Sequence, residues 1–174
     1  MRPGFAILAT AVVSALALTP TAAEAKPVHG RHMESFTDRN FCGTGSLVRV
    51  NFKSAFSATE RDGSIKTQHQ GRFTFRHGDS SVIVIFAGQF TDTIVAQEGD
   101  AQVHQLVSKG VTEKIKLPHG PVLSIDAGLI VERVTVVDGN VVDVEIVRMA
   151  GPHPEAVSGG SLFCEVVPGA LGIG

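Results

Sequence analysis

From Gly45 onward, apolar and polar residues alternate with period two along most of the chain. This spacing sends successive side chains to opposite faces of a β-strand. Leu47-Val48-Arg49-Val50-Asn51-Phe52 shows it, as does Ile65 to Phe75 through Thr67, His69, Gly71 and Phe73. Between them Glu60-Arg61-Asp62-Gly63 is a turn. Arg76-His77-Gly78-Asp79-Ser80 is a second turn, followed by the apolar run Val82 to Phe86, a strand from Thr91 to Gln97, and the turn Glu98-Gly99-Asp100. Ala101 to Lys109 could be a short helix capped by Asp100 and ended by Gly110, but its neighbours are strands and it is read as one. Thr112 to Leu117, Val122 to Asp126, Leu129 to Val137, Val141 to Met149 and Leu162 to Val167 complete the series. Frequent turn signals and no long helical period predict an all-β fold. The short connections favour an antiparallel barrel-like meander, with a β-sandwich as the alternative.

The turn at Asp138-Gly139-Asn140 fixes a register. A two-residue Asp-Gly loop would set Glu132 across from Glu145, two like charges facing each other. A three-residue loop, with Asn140 left-handed, sets Arg133 against Glu145 and Thr135 against Asp143, and gathers Val134, Val136, Val142, Val144 and Ile146 on the other face. This second register predicts that Glu132 and Arg148 lie on the inner side, away from the turn. There they would form either an ion pair at the rim or a polar anchor in a ligand cavity.

The ends of the chain read differently. Met1 to Ala25 has the grammar of a secretory signal: a basic start at Arg2, an apolar run from Phe5 to Leu18, and Ala23-Glu24-Ala25 as a cleavage site. The apolar run is shorter than the roughly twenty residues that span a bilayer. Cleavage after Ala25 predicts a secreted protein with no membrane attachment. Residues 26–40 are polar, carry His29 and His32 and show no period, so a flexible N-terminal arm is expected there. Residues 41–168 then form a single β domain, and 169–174 a tail.

Outside the cytosol thiols oxidise, so two cysteines, Cys42 and Cys164, read as one disulfide. With Cys42 entering the first strand and Cys164 in the last, the bond would bring the ends of the β series together.

Composition narrows the function. Net charge is −2 with acidic and basic residues interleaved, which gives no electrostatic footprint for nucleic acid. Trp and Tyr are absent, which removes the side chains favoured in base stacking and interface hot spots.

Catalytic and metal motifs are not found. There is no nucleophile elbow, and His77, Asp79 and Ser80 share one tight turn, where a base and a nucleophile seldom reach the same point. The seven histidines lack zinc-site spacing, so no metal and no cofactor is assigned. The residues left as candidates for a ligand site are Glu132, Arg148, His104 and His69.

Phe41-Cys42-Gly43-Thr44-Gly45, Gly151-Pro152-His153-Pro154 and Leu162-Phe163-Cys164-Glu165, together with the signal, resemble a family of small secreted actinobacterial proteins of unknown function. The resemblance implies export, a β-rich domain and a terminal cysteine pair, and transfers no site residue. The sequence therefore predicts a secreted, non-enzymatic β protein that binds a small apolar ligand or a secreted protein partner. The alternatives are a small barrel enzyme of the isomerase or cyclase type, with His69, His104 or Glu132 converging in a pocket, and a secreted enzyme inhibitor. An inhibitor would present an exposed rigid loop, either Leu117 to Pro121 or Ala150 to Pro154.

Overall fold

The computed structural model describes residues 26–159 and 162–173, and the export signal expected over residues 1–25 lies outside them. Seven strands follow one another: β1 (Val28–Asp38), β2 (Val48–Arg61), β3 (Ser64–His77), β4 (Ser80–Glu98), β5 (Ala101–Lys116), β6 (Val122–Val137) and β7 (Asn140–Ala150). They pair antiparallel in sequence order within one sheet, so the fold is the expected all-β meander. The sheet is open, and β1 and β7 are its two edges. Two helices come last, the single turn α1 (Pro154–Val157) and α2 (Leu162–Ala170).

Turn chemistry explains the hairpins. Asp62 and Gly63 have φ of 51° and 71°, and Asp138 and Gly139 have 51° and 75°. Two successive positive φ values twist a tight loop in the sense of its flanking strands. The β6–β7 loop is thus Asp138-Gly139 alone, with Val137 paired to Asn140, and the expected three-residue loop does not form. The expected register nonetheless appears, with Arg133 opposite Glu145 and Thr135 opposite Asp143. A shift between Thr135 and Val136 leaves Val142 as an extra residue, and this bulge supplies the offset assigned to the loop.

One face of the sheet carries the core. Val48, Val50, Phe75, Val82, Val84 and Ile115 cluster with Phe41, Val167, Leu171 and Ile173, so α2 and the single 3-10 turn Phe41–Gly43 cover one end of the sheet. Each aliphatic side chain fully buried there contributes roughly 1.5–3 kcal/mol. Farther along the same face Thr67 and Val134 are only 6% and 7% exposed although they lie outside that cluster. Thr67 stands between Ala58 and Phe90, and Val134 between His104 and Val144. Gly88, Gly110 and Gly128 stand side by side across β4, β5 and β6. A Cβ on Gly110 or Gly128 would run into the Ala87 or the Ala150 carbonyl, and their φ values of 125° and 136° suit glycine alone. Bulges beside this row, between Ile85 and Ala87 and between Val111 and Glu113, add bend where the strands approach most closely.

Three expectations are corrected. Residues 28–38, expected as an arm without regular structure, form β1 and pair along β2 from Val28–Ala58 to Asp38–Val48. The alternation was hidden because nearly every β1 side chain is exposed on both faces. Leu162 to Val167, expected as a strand, lies in α2. Its helical period runs through Phe163, Val167 and Leu171, and the Phe163 N–H donates to Glu155 Oε2 at 3.0 Å while the Leu162 N–H donates to Ser158 Oγ at 3.3 Å. The expected tail is core: Leu171 and Ile173 are buried. Left-handed Gly172 ends the helix, with the Ile173 N–H bonded to the Pro168 carbonyl at 2.9 Å and the Gly172 N–H to the Gly169 carbonyl at 3.1 Å.

The Cys42–Cys164 disulfide is present, with Cα atoms 5.4 Å apart. Its place differs from the one expected. Cys42 sits in the turn before β2 and Cys164 in α2, so the bond fastens the helix over the end of the sheet and leaves β1 and β7 apart.

Candidate functional site

Strand pairing places three of the four candidate ligand residues on the inner face. His69 of β3 lies between Phe56 and Gly88, and its ring centre is 5.9 Å from that of Phe86. Burial holds its pKa below the usual imidazole value. Glu132 of β6 stands opposite Leu106 and Ile146 in an apolar row. Burial pushes its carboxyl above the usual carboxylate range. His104 of β5 stands between Ile94 and Val134.

Arg148 is placed elsewhere. A second bulge, at Val147, sets it opposite Val131, and by alternation this is the outer face, away from Glu132. Among the described residues no ion pair joins Glu132 and Arg148, so neither the rim pair nor the shared anchor forms.

His104 has a partner that the sequence did not single out. Asp92 of β4 lies one rung away on the same face, and His104 Nδ1 is 2.8 Å from Asp92 Oδ1. Since the carboxylate only accepts, Nδ1 carries the proton and donates it. His104 Nε2 is 3.3 Å from Gln102 Oε1. The side chains of His104 and Asp92 are both largely buried. Glu132 is a diagonal neighbour of His104, roughly 7–8 Å away from Cα to Cα. Asp92, His104 and Glu132 therefore form one small polar island in an apolar surface. A fixed imidazole beside a carboxyl with a raised pKa can hold a polar atom of an otherwise apolar partner. His69 does not join them, since it lies three rungs along the strands from His104, about 20 Å. Of the three residues considered for an isomerase or cyclase pocket, His104 and Glu132 share the island and His69 stands apart.

Two recesses on the described surface lie elsewhere. One of about 440 Å³ is lined by His29, Gly30, Arg31, Ala55 and Phe56, and one of about 150 Å³ by residues of β1 and β2 around Met33 and Phe52. Both are open grooves at the β1 edge, and neither touches His69, His104 or Glu132.

A second polar group, also missed in the sequence, is buried beside α1. His153 Nδ1 is 2.7 Å from Asp126 Oδ1, and the two side chains are 1% and 4% exposed. His153 Nε2 lies 3.2 Å from the Ala150 carbonyl, and the Ala127 N–H donates to the Pro152 carbonyl at 2.8 Å. Glu113 stands opposite Asp126. Its carboxyl is pushed up to about 7 by burial first, then by the charges of Glu155 and Asp126. The Glu155 carboxyl is also raised, mainly by burial, while the hydrogen bond from the Phe163 N–H opposes that rise. This group anchors the Gly151-Pro152-His153-Pro154 segment against β6. The other loop, Leu117 to Pro121, is closed by the Leu117 N–H to the Pro121 carbonyl at 3.1 Å, with His119 exposed at φ 53°. His77 Nδ1 is spent on the Leu47 carbonyl at 2.9 Å. Among the described residues no three His, Cys, Asp or Glu side chains gather in a way that could hold a metal ion.

β7 carries six exposed large apolar side chains, more than any other strand. Val141, Val142, Val144, Ile146, Val147 and Met149 are 41–60% exposed, on both faces of a strand whose outer edge is unpaired among the described residues. No family model matches the chain, and neither a curated protein nor a solved structure matches it.

Proposed function

We propose that this is a secreted, non-enzymatic binding protein whose partner is another polypeptide. The observation that carries this reading is β7. A strand that exposes six large apolar side chains and that, among the described residues, has no strand beyond its outer row of backbone N–H and C=O groups is a template for strand addition. Export is supported by the signal grammar of Met1 to Ala25, by the Cys42–Cys164 disulfide, and by the resemblance to small secreted actinobacterial proteins. Among the described residues no helix is long and apolar enough to cross a membrane.

The polar island of Asp92, His104 and Glu132 favours a second reading, in which one polar group anchors a small apolar ligand on the inner face. It ranks second because the two grooves at the β1 edge do not reach that island. Native mass spectrometry of protein purified from culture medium separates the two. A polypeptide complex is expected, and a small-molecule adduct on the monomer would overturn the first reading in favour of the second.

A further inference from the structure

Building on the polypeptide-partner reading, we infer that the partner is a second copy of this chain, joined by antiparallel pairing of two β7 edges about a two-fold axis. Charge selects the occupant and the register. Arg148 is a cation on the edge strand with no ion-pair partner among the described residues, and the carboxylates of β7 are Asp143 and Glu145. A self-pairing centred on Val144 would face Asp143 with Glu145, and one centred on Glu145 would face that residue with itself, both unfavourable. Centring the axis between Ile146 and Val147 instead faces Glu145 with Arg148 of the second copy, and by symmetry does so twice. The same register faces Val144 with Met149 of the second copy.

Faces agree as well. Relative to β6, Glu145 and Arg148 stand on the outer side, opposite Arg133 and Val131, while Val144 and Met149 stand on the inner side, opposite Val134 and Ile130. The bulge at Val147 makes this match, because it places residues three apart on one face. Charges then meet charges outside and apolar side chains meet apolar side chains inside, in one continuous sheet. Glu145 already lies 3.3 Å from Arg133 and has a second oxygen for the new pair. An isologous contact also closes on itself, whereas pairing β7 with β1 of another copy would propagate into a filament. A single strand-to-strand contact is at the small end of specific interfaces, so the dimer exchanges with monomer at micromolar concentrations.

The test is sedimentation equilibrium of the secreted chain over a concentration series. A monomer–dimer transition that stops at two is expected. Val144→Lys and Ile146→Lys, at exposed positions, should each yield monomer whose unfolding curve matches that of the parent chain diluted below its dissociation constant. Arg148→Glu should raise the dissociation constant roughly tenfold, and Glu145→Arg with Arg148→Glu should restore it, since the swapped charges still meet. Monomer at every concentration, growth beyond two, or a dimer indifferent to these substitutions would overturn the inference. A monomer that native mass spectrometry finds bound to a different polypeptide would overturn this inference alone and leave the polypeptide-partner reading in place.

Discussion

His153 Nδ1 lies 2.7 Å from Asp126 Oδ1, and this contact ties the segment after β7 back to β6 with both side chains closed to solvent. Removing one member leaves the other buried without its partner. Breaking such a pair costs roughly 3–5 kcal/mol, because desolvation of the remaining group is no longer offset. Asp126→Ala is therefore expected to lower stability by about that amount in urea unfolding. His104→Ala, at the more accessible pair with Asp92, should cost less.

Glu113 makes the same region pH-dependent. Its carboxyl titrates near 7 in the folded chain against a usual value of 4.5. Between those values the folded state binds a proton that the unfolded state does not, so stability falls as pH rises. The stabilisation tied to protonated Glu113 is complete below about 4.5 and lost as pH passes about 7. Glu113→Gln should flatten that slope and stabilise the protein at pH 8 by about 1 kcal/mol, allowing for the partial exposure of the group. Denaturation midpoints of both forms from pH 4 to pH 8 check this, and parallel curves would refute it.

The disulfide spans a sequence separation of 122 residues. In the chain-entropy model, opening a loop of that size costs roughly 4–5 kcal/mol. Cys42→Ser with Cys164→Ser should lower the unfolding midpoint accordingly. Because the bond fastens α2 over the sheet end, increased binding of a hydrophobic dye should accompany the loss.

Leu171 lies in a segment the sequence presents as a tail, yet it is 1% exposed in the core cluster. Leu171→Ala should cost about 2–5 kcal/mol, as a buried leucine does. A tail residue would cost almost nothing, so thermal unfolding of this one variant separates the two descriptions.

Which elements were legible follows from how they are buried. Strands β2 and β3 announce themselves because one face packs and the other meets solvent, and that asymmetry writes period two into the sequence, whereas β4, β5 and β6 each read as two shorter strands although the structure runs them continuously through Gly88, Gly110 and Gly128. β1 has no packed face, so Val28 to Asp38 carries no period to read. In α2 the apolar run Leu162 to Val167 is too short to separate strand from helix, and Pro168-Gly169 reads as a break although the helix continues to Ala170. The polar island was half legible. His104 and Glu132 stood out as polar residues on apolar faces, but Asp92 becomes their neighbour only through the β4–β5 register, which no local pattern fixes. Arg148 was misplaced by one bulge, at Val147, because a single extra residue exchanges the faces of everything beyond it.

The close backbone approach across β4, β5 and β6 rests on the glycine row, and Gly128 tests it most directly. Its φ is 136°, and a Cβ there would meet the Ala150 carbonyl and His153 Nε2. Gly128→Ala must therefore strain the backbone and push β7 and the Asp126–His153 contact outward together. Gly139, also at positive φ, sits in an open turn with nothing near its missing Cβ. Substituting alanine at Gly139 should cost about 1 kcal/mol, the conformational penalty alone, and at Gly128 roughly 3 kcal/mol or more, conformation plus collision. Urea unfolding measures the difference. Equal losses at the two positions would mean that the collision at Gly128 adds nothing to its conformational penalty.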